Sequence, residues 1–117
     1  MTIEVTPNHF TLREEAISEI ESDGLFVVDA DVSPDKLIPT PHVHAHRVDI
    51  YLLDGVLELH EPDTGHTYLL KVGSKAVVRA GTLHSERSPA TFRAAFGVSV
   101  DPSTLNTARA VPSSFVS

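Results

Sequence analysis

The chain contains no cysteine, which excludes a disulfide framework, a thiolate metal site and a redox thiol, and lets it fold in a reducing compartment. Basic residues are also scarce. Lysine and arginine together number 9 against 16 acidic side chains, and the formal net charge is −7. That balance argues against nucleic acid or an anionic membrane surface as the main partner, because both reward a basic patch. No segment approaches the roughly 18 consecutive apolar residues of a membrane span. The amino terminus, MTIEVTPNHF, has neither the basic stretch nor the apolar run of a signal peptide. A soluble, cytoplasmic protein is the expectation. There is no internal repeat and no low-complexity tract, and 117 residues at 41% hydrophobic composition fit one compact domain with a single core.

The early sequence TLREEAISEIESDG carries the marks of one helix near residues 12–22. Thr11 and Glu14 have capping-box spacing, Leu12, Ala16, Ile17 and Ile20 form one stripe, and Gly24 is a stop signal. After it come strand-like runs. LFVVDADV (25–32) is rich in apolar and β-branched residues, and Pro34, Pro39 and Pro41 break the loop that follows. RVDIYLL and VLELHE flank Asp54-Gly55 and predict a hairpin with a tight two-residue turn. PDTG (62–65) predicts a second turn into HTYLLKV; SKAVVRAG and TFRAAFGVSV (91–100) supply further strands. Turn signals every eight to twelve residues, with no second helix, indicate an antiparallel sandwich or barrel. The expected inward row is Val27, Ile50, Leu52, Val56, Leu69, Val77 and Phe96. In the Ser, Thr, Pro and Ala-rich tail, Leu105, Val111, Phe115 and Val116 are candidate docking residues.

The segment PHVHAHRVD (41–49) concentrates three of the seven histidines. If it is extended, alternation puts His42, His44 and His46 on one face, with Val48 continuing the row and Asp49 on the other side. Two imidazoles at that spacing can grip one ion, and a third ligand must come from elsewhere. Neutral imidazoles suit zinc, iron, nickel, copper and manganese, and open coordination positions distinguish a catalytic site from a closed structural one.

PHVHAHRVDIYLLDG (41–55) resembles the first motif of the cupin superfamily: a histidine pair one residue apart, an acidic residue, an apolar strand and a turn glycine. GSKAVVRAGTLHSERS (73–88) resembles the second, with Gly73, Gly81 and His84 at the family's spacing. The resemblance implies an all-β fold, a double-stranded β-helix or jelly-roll barrel with one short N-terminal helix, organised as a segment with helix (1–24), barrel (25–100) and tail (101–117). It also implies a divalent transition metal (Fe, Zn, Mn or Ni) held by His42, His44 and His84. Two departures stand out. The family's acidic ligand should fall at position 48, which is Val48, and Asp49 comes one residue late, so that only a strand bulge would aim its carboxylate inward. Arg79 replaces the usual proline and Ser88 the usual asparagine.

Asp49 thus stands as a fourth candidate ligand beside the three histidines. Glu86 shares a face with His84 and is a candidate general base or outer partner, Arg79 is a candidate for steering a substrate carboxylate, and His46 can replace His42 or stand at the pocket mouth. His9, His60 and His66 read as surface residues, and Tyr51 as packing. A neutral three-histidine face resembles the thiol, gentisate and diketone dioxygenases among cupins and suits a small anionic chelating molecule. The alternative is a non-catalytic cupin that binds a small ligand or metal and acts through a partner. The resemblance also implies a homodimer.

Overall fold

The computed structural model describes residues 3–104. The chain runs β1 (Glu4–Thr6), α1 (Arg13–Ser22), β2 (Phe26–Val32), a 3-10 turn (Pro34–Lys36), β3 (Val48–Asp54), β4 (Leu57–Glu61), β5 (His66–Leu70), β6 (Lys75–Val78), β7 (Ser85–Arg87), β8 (Phe92–Val98) and a final 3-10 turn (Pro102–Thr104). All strand pairs are antiparallel. They form a five-stranded sheet in the order β1-β6-β3-β8-β2 and a three-stranded sheet in the order β5-β4-β7. This is the expected double-sheet jelly roll with one helix. The four tail residues proposed for docking lie outside the described residues.

The sandwich interior is filled by alternate side chains from both sheets. Val48, Ile50 and Leu52 of β3, Ala94, Phe96 and Val98 of β8, Ala76 and Val78 of β6, and Leu57, Leu59 and Leu70 of the small sheet make one buried cluster. Each larger member contributes on the order of 2 kcal/mol by leaving water. The outward side chains of the large sheet meet α1, where Ala16 and Ile20 bury against Tyr51 and Ala95. Charge fastens the same contact: Glu19 accepts hydrogen bonds from the Tyr51 hydroxyl (2.5 Å) and the Lys75 ammonium (2.6 Å).

Three sequence expectations need correction. The β3–β4 segment is not a hairpin, because β3 belongs to the large sheet and β4 to the small one. The register of β3 against β8 shifts between Leu52 and Asp54, and the chain crosses sheets at Gly55, whose φ is +84°. A Cβ there would lie 2.9 Å from Phe92 Cβ, so the glycine serves close backbone approach as well as the turn. Second, part of the inward row is out of phase. Leu69 is 55% exposed while Leu70 is buried, Val27 packs toward α1, Val56 is half-buried, and Ala76 and Val78 face the core in place of Val77. Each error falls in a run of adjacent apolar residues, where the pattern carries no phase. Third, the helix cap sits one residue later than Thr11: Glu15 Oε1 accepts the N–H groups of Leu12 (2.7 Å) and Thr11 (3.0 Å). Gly24 does end the helix, in a Schellman arrangement with Leu25 N–H on Ile20 O and Gly24 N–H on Glu21 O.

Candidate metal centre

Residues 43–47 are not strand. His42 instead forms a single antiparallel bridge with His84, its N–H reaching His84 O at 2.9 Å and its carbonyl accepting His84 N–H at 3.0 Å. Two residues on, His44 O accepts the N–H of Gly81 (2.9 Å). The histidine loop and the loop before β7 therefore run side by side, and three rings converge: His42–His84 at 4.7 Å between centroids, His44–His84 at 5.0 Å and His42–His44 at 5.2 Å. Glu86, two residues after His84 on β7, completes the group. One potential ligand atom from each of His42, His44, His84 and Glu86 lies within 4.8 Å of all the others.

The hydrogen bonds expose what this group lacks. His42 Nδ1 lies 2.9 Å from Thr40 O, and His84 Nδ1 lies 2.8 Å from Thr82 O. Carbonyl oxygens only accept, so both Nδ1 atoms carry hydrogen. Both Nε2 atoms then point at one oxygen, Glu86 Oε1, at 3.1 and 3.0 Å. A neutral imidazole would turn its lone pair on the carboxylate there. The arrangement needs a proton, on a ring or on the carboxyl group between them, or one metal ion. His42 leans the first way: burial works against its proton, but the Glu86 carboxylate and the Thr40 carbonyl outweigh burial and raise its pKa. His44 goes the opposite way. Desolvation, then repulsion from His84, lowers its pKa to about 4, so it offers a neutral ring, and its Nδ1 is buried without a partner. Glu86 Oε2 is likewise buried and unpartnered. A neutral His44 ring, a buried carboxylate and, on His42 and His84, Nδ1 atoms tied to carbonyls that leave Nε2 facing inward are the donor chemistry of a divalent site. The four side chains can hold a metal ion.

Beside them lies a cavity of about 20 Å³, lined by His44, His84 and Glu86 and by apolar residues that include Val48, Ile50, Leu57, Phe92 and Phe96.

No protein-family profile and no curated protein sequence matches the chain. Solved structures do. A DUF861 family protein from Thermotoga maritima superposes with a TM-score of 0.54 at 13% identity, over 81% of this chain and 97% of that one. The polyketide cyclase RemF from Streptomyces resistomycificus superposes with a TM-score of 0.52 at 27% identity, over 67% of this chain. The matched part is 56% of RemF. Both are cupin-fold proteins. The chain has a cupin fold.

On this cupin barrel the sequence candidates separate. His42, His44 and His84 come together. Asp49 does not join them: its carboxylate is wholly buried on the opposite side of β3, bound by Arg47 Nε at 2.7 Å and Nη2 at 2.8 Å. No bulge intervenes at that point of β3, so alternation holds and Val48 occupies the inner position. Arg79 is also elsewhere, half-exposed and paired with Glu4 at 3.0 Å. His46 stacks at 5.8 Å from His44 but stays outside the four-residue group, and burial lowers its pKa. The carboxylate that the cupin motif seeks on β3 is thus supplied at this site from β7. Its only sequence signal was the two-residue step from His84 to Glu86, which had suggested a base or outer partner. The carbonyls of Thr40 and Thr82 had no signal at all.

Proposed function

We propose that this cupin is a metal-dependent enzyme acting on a small chelating molecule, with His42, His44, His84 and Glu86 holding the ion. The supporting observation is the pair of Nε2 atoms aimed at one carboxylate oxygen with both Nδ1 atoms already bound. Fe, Zn, Mn and Ni all accept such donors. When bound, the ion would supply Lewis acidity and, if redox-active, chemistry with dioxygen.

The chain's own residues do the rest. His44 presents a neutral nitrogen, His42 and His84 aim Nε2 at the same point, Glu86 offsets one of the two charges, and its free Oε2 can accept a proton from a bound substrate. The lining contains no lysine or arginine. An anionic substrate would therefore be held by the ion alone, while Val48, Ile50, Phe92 and Phe96 make the small space beside it apolar. The small apolar space favours a dioxygenase-type reaction, since it can admit a nonpolar diatomic. A second, non-redox reading draws on the unpartnered Glu86 Oε2 as base and on the likeness to RemF, whose description is polyketide cyclase. The non-catalytic reading, a binding cupin acting through a partner, predicts metal without turnover.

Elemental analysis of the purified protein should find one transition metal per chain, lost in His84→Ala. An oxygen electrode with chelating enol, thiol and catechol-like candidates then separates the readings. A metal-free protein that cannot be loaded would end the metal proposal, and turnover without oxygen uptake would end the dioxygenase form.

A further inference from the structure

We infer that Arg47 and Asp49 are positioning residues for His44, an inference that rests on the metal-centre reading. The argument starts from an asymmetry among the rings. His42 and His84 are each oriented by a second bond, from Nδ1 to the carbonyl oxygens of Thr40 and Thr82. His44 has none, for its Nδ1 is buried and unpartnered. Its placement depends on the backbone that carries it. That backbone is not in a strand and is pinned at two places, by Gly81 N–H on His44 O and, at its far end, by Arg47.

Arg47 is fixed from three directions. Its N–H donates to Ser99 Oγ at 2.9 Å, its carbonyl accepts Ser99 N–H at 3.2 Å, and its guanidinium grips Asp49 through two bonds. Asp49 is fully buried on β3, between Val77 of β6 and Gly97 of β8, so it belongs to the rigid sheet. A bidentate fork fixes orientation as well as distance, which a lysine cannot do. The late acid of the first motif thus ties the end of the histidine loop to the barrel, where an inward acid would have been a ligand. Groups bonded directly to a ligand change metal affinity by about 10–100-fold when removed; Arg47 and Asp49 act one step further out, through the backbone of the loop, so the lower end of that range is expected.

Cobalt(II) titration of the full chain at pH 7.5 tests the inference, with Asp49→Asn and Arg47→Lys as near-isosteric and charge-preserving variants. Both should still take one cobalt per chain, bind it about tenfold or more weakly, and shift the cobalt visible absorption. A loss of thermal stability alone, with affinity and spectrum as in the wild type, would assign the pair a merely structural role and overturn the inference. A readout without metal keeps it separate from the metal reading. In the metal-free protein the ring proton signals of His44 should move in both variants, and further than those of His84, whose Nδ1 stays bound to Thr82 O. Failure of wild-type protein to bind cobalt would refute the metal centre, and unmoved His44 signals would refute the positioning role.

Discussion

His44 is the residue with the clearest consequence in solution. Burial holds its pKa near about 4, against 6.5 for a free imidazole. In the metal-free protein the unfolded chain therefore binds a proton more readily than the folded one between those values. The stability that neutral His44 supports is complete above pH 6.5 and is lost as pH falls toward 4, by on the order of 3 kcal/mol. His42 has the opposite sign: its raised pKa supports stability below 6.5 that disappears as pH rises through the folded value. The difference in denaturation free energy between wild type and His44→Leu, followed from pH 7.5 to 4, isolates His44, and a flat difference would disprove its low pKa. Metal affinity carries a linked signature. Because His44 has no proton to displace at pH 5–6.5, it adds nothing to the protons released on metal binding there, and log affinity should climb with a slope below three per pH unit although three histidines are ligands. A slope of three would mean that His44 titrates normally.

At the scale of elements, the glycines at chain reversals differ in a way that thermal or urea denaturation can measure. Gly65 has φ +77° in the β4–β5 turn and open space around a built Cβ, so Gly65→Ala costs only the left-handed conformation, about 1 kcal/mol. Gly55 has the same backbone problem and also touches Phe92. Gly55→Ala should cost about 3 kcal/mol, conformation and overpacking together. Equal losses would show that the crossing between sheets is loose. The β4–β5 turn is the hairpin that PDTG announced. Asp54-Gly55, which carries equally good turn chemistry, joins two strands of different sheets. A dipeptide states that the chain reverses, and leaves open which strand it meets afterwards.

At the scale of the molecule, the two sheets are covered unequally. α1 shields the outer face of the large sheet, whereas among the described residues no helix covers the small one, and Leu69 and Val72 stand exposed at and just after β5. Among the described residues strand β2 is also an edge of the large sheet, with Phe26 exposed. Unpaired edges and exposed apolar residues favour self-association. The homodimer implied by the motif resemblance is accordingly expected to give a light-scattering mass about twice the 12.7 kDa of one chain. A concentration-independent mass of 12.7 kDa would refute it. Among the described residues no helix is long and apolar enough to cross a membrane.

The sequence by itself determined the strand content and the single helix with its glycine stop, since these rest on local periodicity and turn residues; the approach of His42, His44 and His84 was implied by the resemblance of two motifs and is made by the bridge between His42 and His84. Alternation favoured Val48 inward and Asp49 outward but left Asp49 a candidate ligand, and only the unbroken register of β3 with β6 and β8 removed it. Tertiary structure decided the rest. Which of two adjacent apolar residues faces the core, as at Leu69 and Leu70, depends on the partner sheet. Whether β3 pairs with β4 depends on which strands take its two edges, here β6 and β8, the latter beginning at Phe92, 37 residues after Gly55. Glu86 joins the histidines because β7 pairs with β4 and its preceding loop lies along the histidine loop. Those are contacts between distant parts of the chain, set by how the two sheets close over a common core.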